Sequence, residues 1–330
     1  MHNLRTKLLS STCSVSTLNG YISLEESKFF MDCETEYEII QDQVFAGERD
    51  LFLARNLDVR GCVFRAGQSS MDGESPLKEA SNIRINRSRF EWKYPLWYAH
   101  DINLTHSELL ETARSGIWYT HGIAIHKSSL AAPKTFRHAS EISLVDVDMP
   151  NASETLWWCK KVSLKRISAR GDYFGMQSKD INALDMRLVG NYAFDGAENI
   201  TIEDSSLISK DAFWNTTNVT VKNSTIVGEY LGWNSKNLTF ENCTIESLQG
   251  LCYAENLKLI NCKLIDTPLA FEYSSVDAQV EGHIDSVFNP SSGFIRAGSI
   301  GELTLDPAKI DPSAVSIELT ESNQSKEAQK

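Results

Sequence analysis

Hydrophobic and polar positions recur together along this chain, and over its middle the period is 19 residues. Read from a recurring asparagine, the segments are NITIEDSSL from Asn199, NVTVKNSTI from Asn218, NLTFENCTI from Asn237 and NLKLINCKL from Asn256. Each carries Ile, Leu, Val or Phe one, three and eight residues after the anchor, and Ser or Cys six after it. The period-two alternation predicts short strands and not helices. No single segment can bury its apolar residues alone, so successive copies must stack as a solenoid.

The same frame extends in both directions, with anchors at Asn56, Asn82, Asp101, Gly122, Glu141, Lys161, Asp180 and Ser275. From Asn82 onward the spacing is 19 to 21 residues, which makes about twelve or more coils legible. A left-handed helix of hexapeptides needs a strict 18 per coil, so this spacing breaks its rule. The fold class expected is all-β, a single-stranded parallel β-helix over residues 44–306. Residues 1–43 are expected to form an N-terminal extension and cap, and residues 307–330 a disordered tail. The asparagine column marks turns, because Asn tolerates left-handed backbone angles, and stacked amides can bond from coil to coil.

The segment before each anchor departs from simple alternation. Five residues before it stands a large apolar side chain, as at Phe136, Leu156, Phe194 and Phe213. Two before it stands a small one, as at Ala139, Ala197 and Ser235. Both must point inward, yet they are three apart, so a corner or bulge intervenes and pushes the two residues between toward the surface. Those two columns hold six of the seven tryptophans. They also hold Arg137 with His138, Trp157 with Trp158, Asp195, Trp214 with Asn215, and Trp233 with Asn234. Rings of this kind can brace a solenoid face. Rings edged by polar groups also suit a saccharide, whose apolar faces stack on aromatics while its hydroxyls need partners.

Carboxylates flank the same strip, and Glu154, Asp172, Asp195 and Asp211 are the candidate catalytic residues. Acids one or two coils apart would stand about 5 or 10 Å apart, which brackets the separations of retaining and inverting glycosidases. The ligand-binding candidates are Arg137, His138, Trp157, Trp158, Trp214, Asn215, Trp233 and Asn234. Five histidines, His100, His106, His121, His126 and His138, fall on three consecutive coils but lack a ligand spacing, so they read as surface residues. Neither metal nor cofactor is expected.

Charge and cysteine content narrow the partners. A net charge of −12 with no Lys/Arg cluster argues against nucleic acid, and counts against an acidic polymer as substrate. No apolar run is long enough to span a membrane. Seven scattered cysteines without a CxxC pair suit a reducing compartment, so a cytoplasmic location is expected. Nothing in the pattern fixes an oligomeric state.

The phrases ESPLKEASNI, WKYPLWYAH, SGIWYTHG, ETLWWC, GDYF, KDAFWN, EYLGWNSKNLTFENCTIESLQG, LAFEYSS and DSVFNPSSG resemble a mainly bacterial family described as a domain of unknown function. That family is grouped with the pectate-lyase-like right-handed parallel β-helices. The resemblance runs from about Gln41 to about Pro307, and it implies the right-handed sense, which spacing alone does not set. Enzymes of that wider group cleave acidic polysaccharides, but their adjacent Asp pair, Gly-His-Gly and Arg-Ile-Lys signatures are absent here. Two functional readings therefore compete: a carbohydrate-binding or carbohydrate-active β-helix, and a non-enzymatic structural or protein-interaction solenoid.

Overall fold

The computed structural model describes residues 36–69 and 72–320. Of the expected extension and cap over residues 1–43, residues 1–35 lie outside the described residues, as does the end of the chain after Thr320. From Tyr37 onward the chain winds into a right-handed parallel β-solenoid of about 15 turns. Its rungs pair in the register that the repeat predicts. Ile200 sits over Val219 and Val219 over Leu238, while Leu207 sits over Ile226 and Ile226 over Ile245. These inward columns, with Phe194, Phe213 and Phe240, are fully buried and form one continuous core.

Each turn is closed by left-handed residues at fixed positions. The anchors Asn199, Asn218, Asn237 and Asn256 all have positive φ. So do Asp204, Asn223, Asn242 and Asn261, five residues further on, a second turn column visible in the sequence as the Asp or Asn five after each anchor. Both columns are amide ladders. Asn218 donates to Asn199 at 3.0 Å, Asn237 to Asn218 at 2.8 Å and Asn256 to Asn237 at 3.0 Å. Each ladder starts on an aspartate, Asp180 or Asp204, because the first amide needs an acceptor and a carboxylate can only accept.

The Ser/Cys column six after the anchor faces inward. Ser205, Ser224, Cys243 and Cys262 are all buried. The serine hydroxyls do more than fit a narrow space, since the Ser224 Oγ accepts from the Ser205 backbone N–H at 3.0 Å and donates to the Lys222 carbonyl at 2.6 Å. It thereby gives the Ser205 N–H an acceptor, and it shares the Lys222 carbonyl with the Asp204 N–H. Ser224→Phe should overpack this layer and orphan the Ser205 N–H, destabilising by about 1–3 kcal/mol. An unchanged urea midpoint would place the column in solvent.

The segment before each anchor is a third ladder. At seven, five and three residues before the anchor φ is positive, as at Asp211, Phe213 and Asn215. The N–H of Asp211 donates forward to Glu229, that of Phe213 backward to Ala193, and that of Asn215 forward to Trp233. Alternation of left- and right-handed residues is what lets Phe213 and Thr216, three apart, both point inward. Left-handed conformations in non-glycine residues cost about 1–2 kcal/mol each. Every one of these three donates a ladder bond, which offsets that strain.

Both ends of the β-helix differ from the expected bounds of 44 and 306. The first rung is Glu38–Gln41, paired in parallel with Arg55–Arg60, so the stretch expected as a cap is itself a coil. At the other end Val315–Leu319 pairs in parallel with Ser292–Ala297. A short turn at Pro312–Ala314, capped by Asp311 accepting from the Ser313 N–H, returns the chain to the sheet. Residues 307–319 are therefore not a tail: the short alternation VSIEL is enough once a neighbouring rung supplies its hydrogen bonds.

Candidate functional site

The strip between the inward positions faces outward as the sequence implies, but its rings are used in two different ways. On the coils from Tyr98 to Trp158 they stack in parallel. Tyr98 and Tyr119 lie 4.8 Å apart, Tyr119 and His138 5.2 Å, and His138 and Trp158 5.0 Å, all within 6° of coplanar. Each inner ring gives its faces to its neighbours, so the column shows solvent mainly ring edges. Behind it Trp97 stacks on Trp118 at 5.2 Å, and the Arg137 guanidinium lies between the indoles of Trp118 and Trp157, 4.9 and 4.3 Å from their centres. The guanidinium also binds Glu154 at 2.6 Å, and Lys134 reaches the same carboxylate oxygen at 3.3 Å.

Four indole N–H groups are committed to the backbone. Trp97, Trp118, Trp157 and Trp233 donate to the carbonyls of Ser115, Lys134, Tyr173 and Gln249 at 2.6–2.7 Å. Each acceptor is a left-handed residue of the next coil, so these tryptophans strap adjacent coils together. Arg137, Glu154 and Trp157 thus belong to a brace, and Glu154 is neutralised where it stands.

The ladder breaks after Trp158. The next two coils carry Met176 with Gln177 and Asp195 with Gly196 at the ring positions, and rings return at Trp214. A Cβ on Gly196 would meet the Gln177 amide at 1.9 Å, so only glycine lets that amide lie across the break. Beyond it the rings no longer stack. Trp214 and Trp233 cross at 88° with centres 6.5 Å apart, and Tyr230 meets Trp233 at 76°. Trp233 also meets Tyr253 at 5.0 Å and 55°, so the rings here cross one another instead of sharing faces.

Polar groups collect around this break. Asp195 accepts from the Asn215 amide at 3.1 Å, and Asn215 accepts from Asn234 at 2.8 Å. Tyr173 and Tyr192 stack at 4.7 Å on one side, and the next residue in their column is Asp211. Asp211 is only 4% exposed, and among the described residues nothing donates a hydrogen bond to it. Burial pushes its carboxyl above the ordinary aspartate range, Lys210 opposes that, and Glu229 and Asp195 reinforce it. The Tyr173 phenol is also pushed up, by burial first and then by Tyr192, Asp172, Asp195 and Asp211. Asp172, Asp195 and Asp211 therefore share one electrostatic neighbourhood.

A groove of about 470 Å³ runs along the adjoining corner, with Asp172, Asn191, Lys210 and Glu229 on its rim. The Asn191 N–H donates to Asp172 at 2.7 Å, and Lys210 binds Glu229 at 3.1 Å. The corner is tight: a Cβ on Gly228 would lie 2.0 Å from the Ser209 carbonyl oxygen. Tyr173, Tyr192, Asn191 and Lys210 were not among the sequence candidates. Their signal is present in GDYF, NYAF and EYLG, where tyrosine recurs seven residues before the anchor, a column outside the one that the tryptophans draw attention to.

Among the described residues no group of three His, Cys, Asp or Glu is placed to hold a metal, and no helix is long and apolar enough to cross a membrane. The five described cysteines are all free and buried.

The family described as "Protein of unknown function (DUF3737)" matches residues 38–318, and the chain belongs to that family. No curated protein matches its sequence. Among solved structures it is similar to the A-module of mannuronan C-5 epimerase AlgE4 from Azotobacter vinelandii, at 8% identity and a TM-score of 0.32, over 86% of this chain and 87% of that one. It is also similar to QnrB1, a plasmid-mediated fluoroquinolone resistance protein, at 10% identity and a TM-score of 0.21, over 70% of this chain and 92% of that one. At these scores neither likeness bears on activity.

Proposed function

We propose that this protein binds a saccharide across the break in its ring ladder and acts on it with the carboxylates gathered there. The observation that carries the reading is the interruption itself. A ladder built only for stability has no reason to drop two rings, turn the following pair perpendicular and place Asp195 and a buried Asp211 in the gap. Trp214, Trp233 and Asn234 supply ring faces and amide donors for sugar faces and hydroxyls. Asp211, whose carboxyl burial holds above the ordinary aspartate range, is the proton donor; Asp172 or Asp195 is the second carboxylate. Asp172 and Asp211 stand two coils apart, about 10 Å along the stack, nearer the inverting than the retaining arrangement. We assign the protein to the cytoplasm, a setting that free, buried thiols suit.

Trp214→Ala should abolish glycan binding, read as the loss of a tryptophan-fluorescence change, while leaving the melting curve within about 1–2 kcal/mol of the parent. Trp233→Ala should do the same and cost about 1 kcal/mol more, because its bond to the Gln249 carbonyl is lost. Unfolding of both variants would make the rings structural and favour the scaffold reading. The braced coils from Tyr98 to Trp158, whose ring faces are already taken, support that second reading.

A further inference from the structure

We infer that two copies of this chain join through the last rung, Val315–Leu319, in a closed twofold dimer. The inference is independent of the saccharide reading. That rung bonds to Ser292–Ala297 on one side, and among the described residues nothing pairs with its other edge. The Thr320 N–H donates back to the Ala297 carbonyl at 2.9 Å, and peptide groups alternate sides along a strand, so those of Val315, Ile317 and Leu319 point away from the neighbouring rung. The same three residues carry the inward side chains. They pair with Gly293, Ile295 and Ala297, of which Ile295 and Ala297 are fully buried. Leu319 is 52% exposed, Leu303, paired with the buried Val287, is 46% exposed, and Ile300 and Ile317 are only partly covered. The core therefore ends in an apolar face bordered by unpaired peptide groups. Residues 321–330, ESNQSKEAQK, supply no large apolar side chain to cover it.

A second copy fits this edge by its own symmetry. Antiparallel pairing about Ile317 puts Ile317 opposite itself and Val315 opposite Leu319. The three residues with free N–H and C=O groups are then the three that bond across the interface, and their side chains join the two cores. On the solvent face Ser316 of one copy meets Glu318 of the other, a carboxylate already held by Arg296 at 3.4 Å, so no like charges oppose. The first rung does not offer the same fit. In Glu38–Gln41 the position paired with the buried Leu57 is Glu38, so joining that edge to either end of another copy would bury a carboxylate among apolar side chains. An inward charge at one end and none at the other selects a dimer that closes on itself over a head-to-tail filament.

The test is sedimentation equilibrium of the full chain, which should show monomer and dimer and no larger species. Ile317→Asp, which sets two carboxylates face to face on the twofold axis, should raise the dimer dissociation constant at least about a hundredfold with the circular dichroism unchanged. A second variant keeps the test usable if that one does not fold. Ile317→Cys, in a chain whose Cys13 and Cys33 are changed to serine, should give a disulfide-linked dimer on mild oxidation. Directly opposed residues of this kind have Cα atoms about 5.5 Å apart, within the span of a disulfide. The five remaining cysteines are buried and should not compete. Glu318→Cys, which faces Ser316 and not itself, should cross-link far less. A monomer at every concentration, growth into filaments, a folded Ile317→Asp variant that dimerises as the parent does, or failure of Ile317→Cys to cross-link would overturn the inference.

Discussion

Replacing Phe213 by alanine is expected to cost about 3–5 kcal/mol, the range for deleting a fully buried phenylalanine. Its ring stacks on Phe194 at 5.6 Å and 8°, and meets the edge of Phe240 at 6.4 Å. Two features set the size of the loss. The coil is narrow and hydrogen-bonded to both neighbours through the Phe213 N–H and its flanking ladder groups, so the backbone cannot collapse into the cavity. In a solenoid, moreover, each coil is held only by the next, so a weakened interface acts on both sides of the breach. The melting temperature should drop by roughly 10 °C, against a small shift for Trp214→Ala one residue away. A loss below about 1 kcal/mol would mean that the column five before the anchor is not core.

Asp211→Asn should separate stability from function. The folded state holds this carboxyl above its ordinary range, so in the window between the unfolded value and the raised folded one the native protein binds more protons than the unfolded chain. Native stability therefore falls as pH rises through that window. Asparagine cannot ionise, so the variant should lose this pH dependence and be more stable at neutral pH, by about 1 kcal/mol. Any glycan-cleaving activity should fall by about 10²–10⁴-fold, the usual contribution of a positioned general acid. The paired outcome is diagnostic. A variant that is less stable at pH 7, or one that turns over substrate as fast as the parent, would remove Asp211 from the role given to it.

Strand order, coil length and the inward columns were all legible in the sequence, because each depends on a local rule repeated many times. The segments from Asn199 to Asn256 show which side chains face in, since period two leaves no choice once one face must be dry. Asparagine at the anchor shows the turn, since few other residues accept a left-handed backbone cheaply. The outward position of the Trp157 and Trp158 column also followed, from the odd spacing of Leu156 and Cys159 around it. The ends were misplaced, because VSIEL is too short a signal to predict a strand without the rung it pairs with.

What the sequence could not distinguish is a ring stacked between its neighbours from a ring that crosses them. Trp118 and Trp214 occupy the same position in the repeat. One is closed on both sides by Trp97 and Arg137, and the other crosses Trp233 at 88°. That difference depends on what the coil above and the coil below place at the same height, a contact between residues about 20 apart. The same holds for the acids. Glu154 and Asp211 stand at the same distance before their anchors, yet Glu154 lies under Arg137 and Lys134 while Asp211 lies among tyrosines with no donor. Local pattern determines which way a side chain points. Only the stacked neighbours decide whether it is paired with a cation or left without a donor, because hydrogen bonding and burial in a solenoid are completed between coils and not within one.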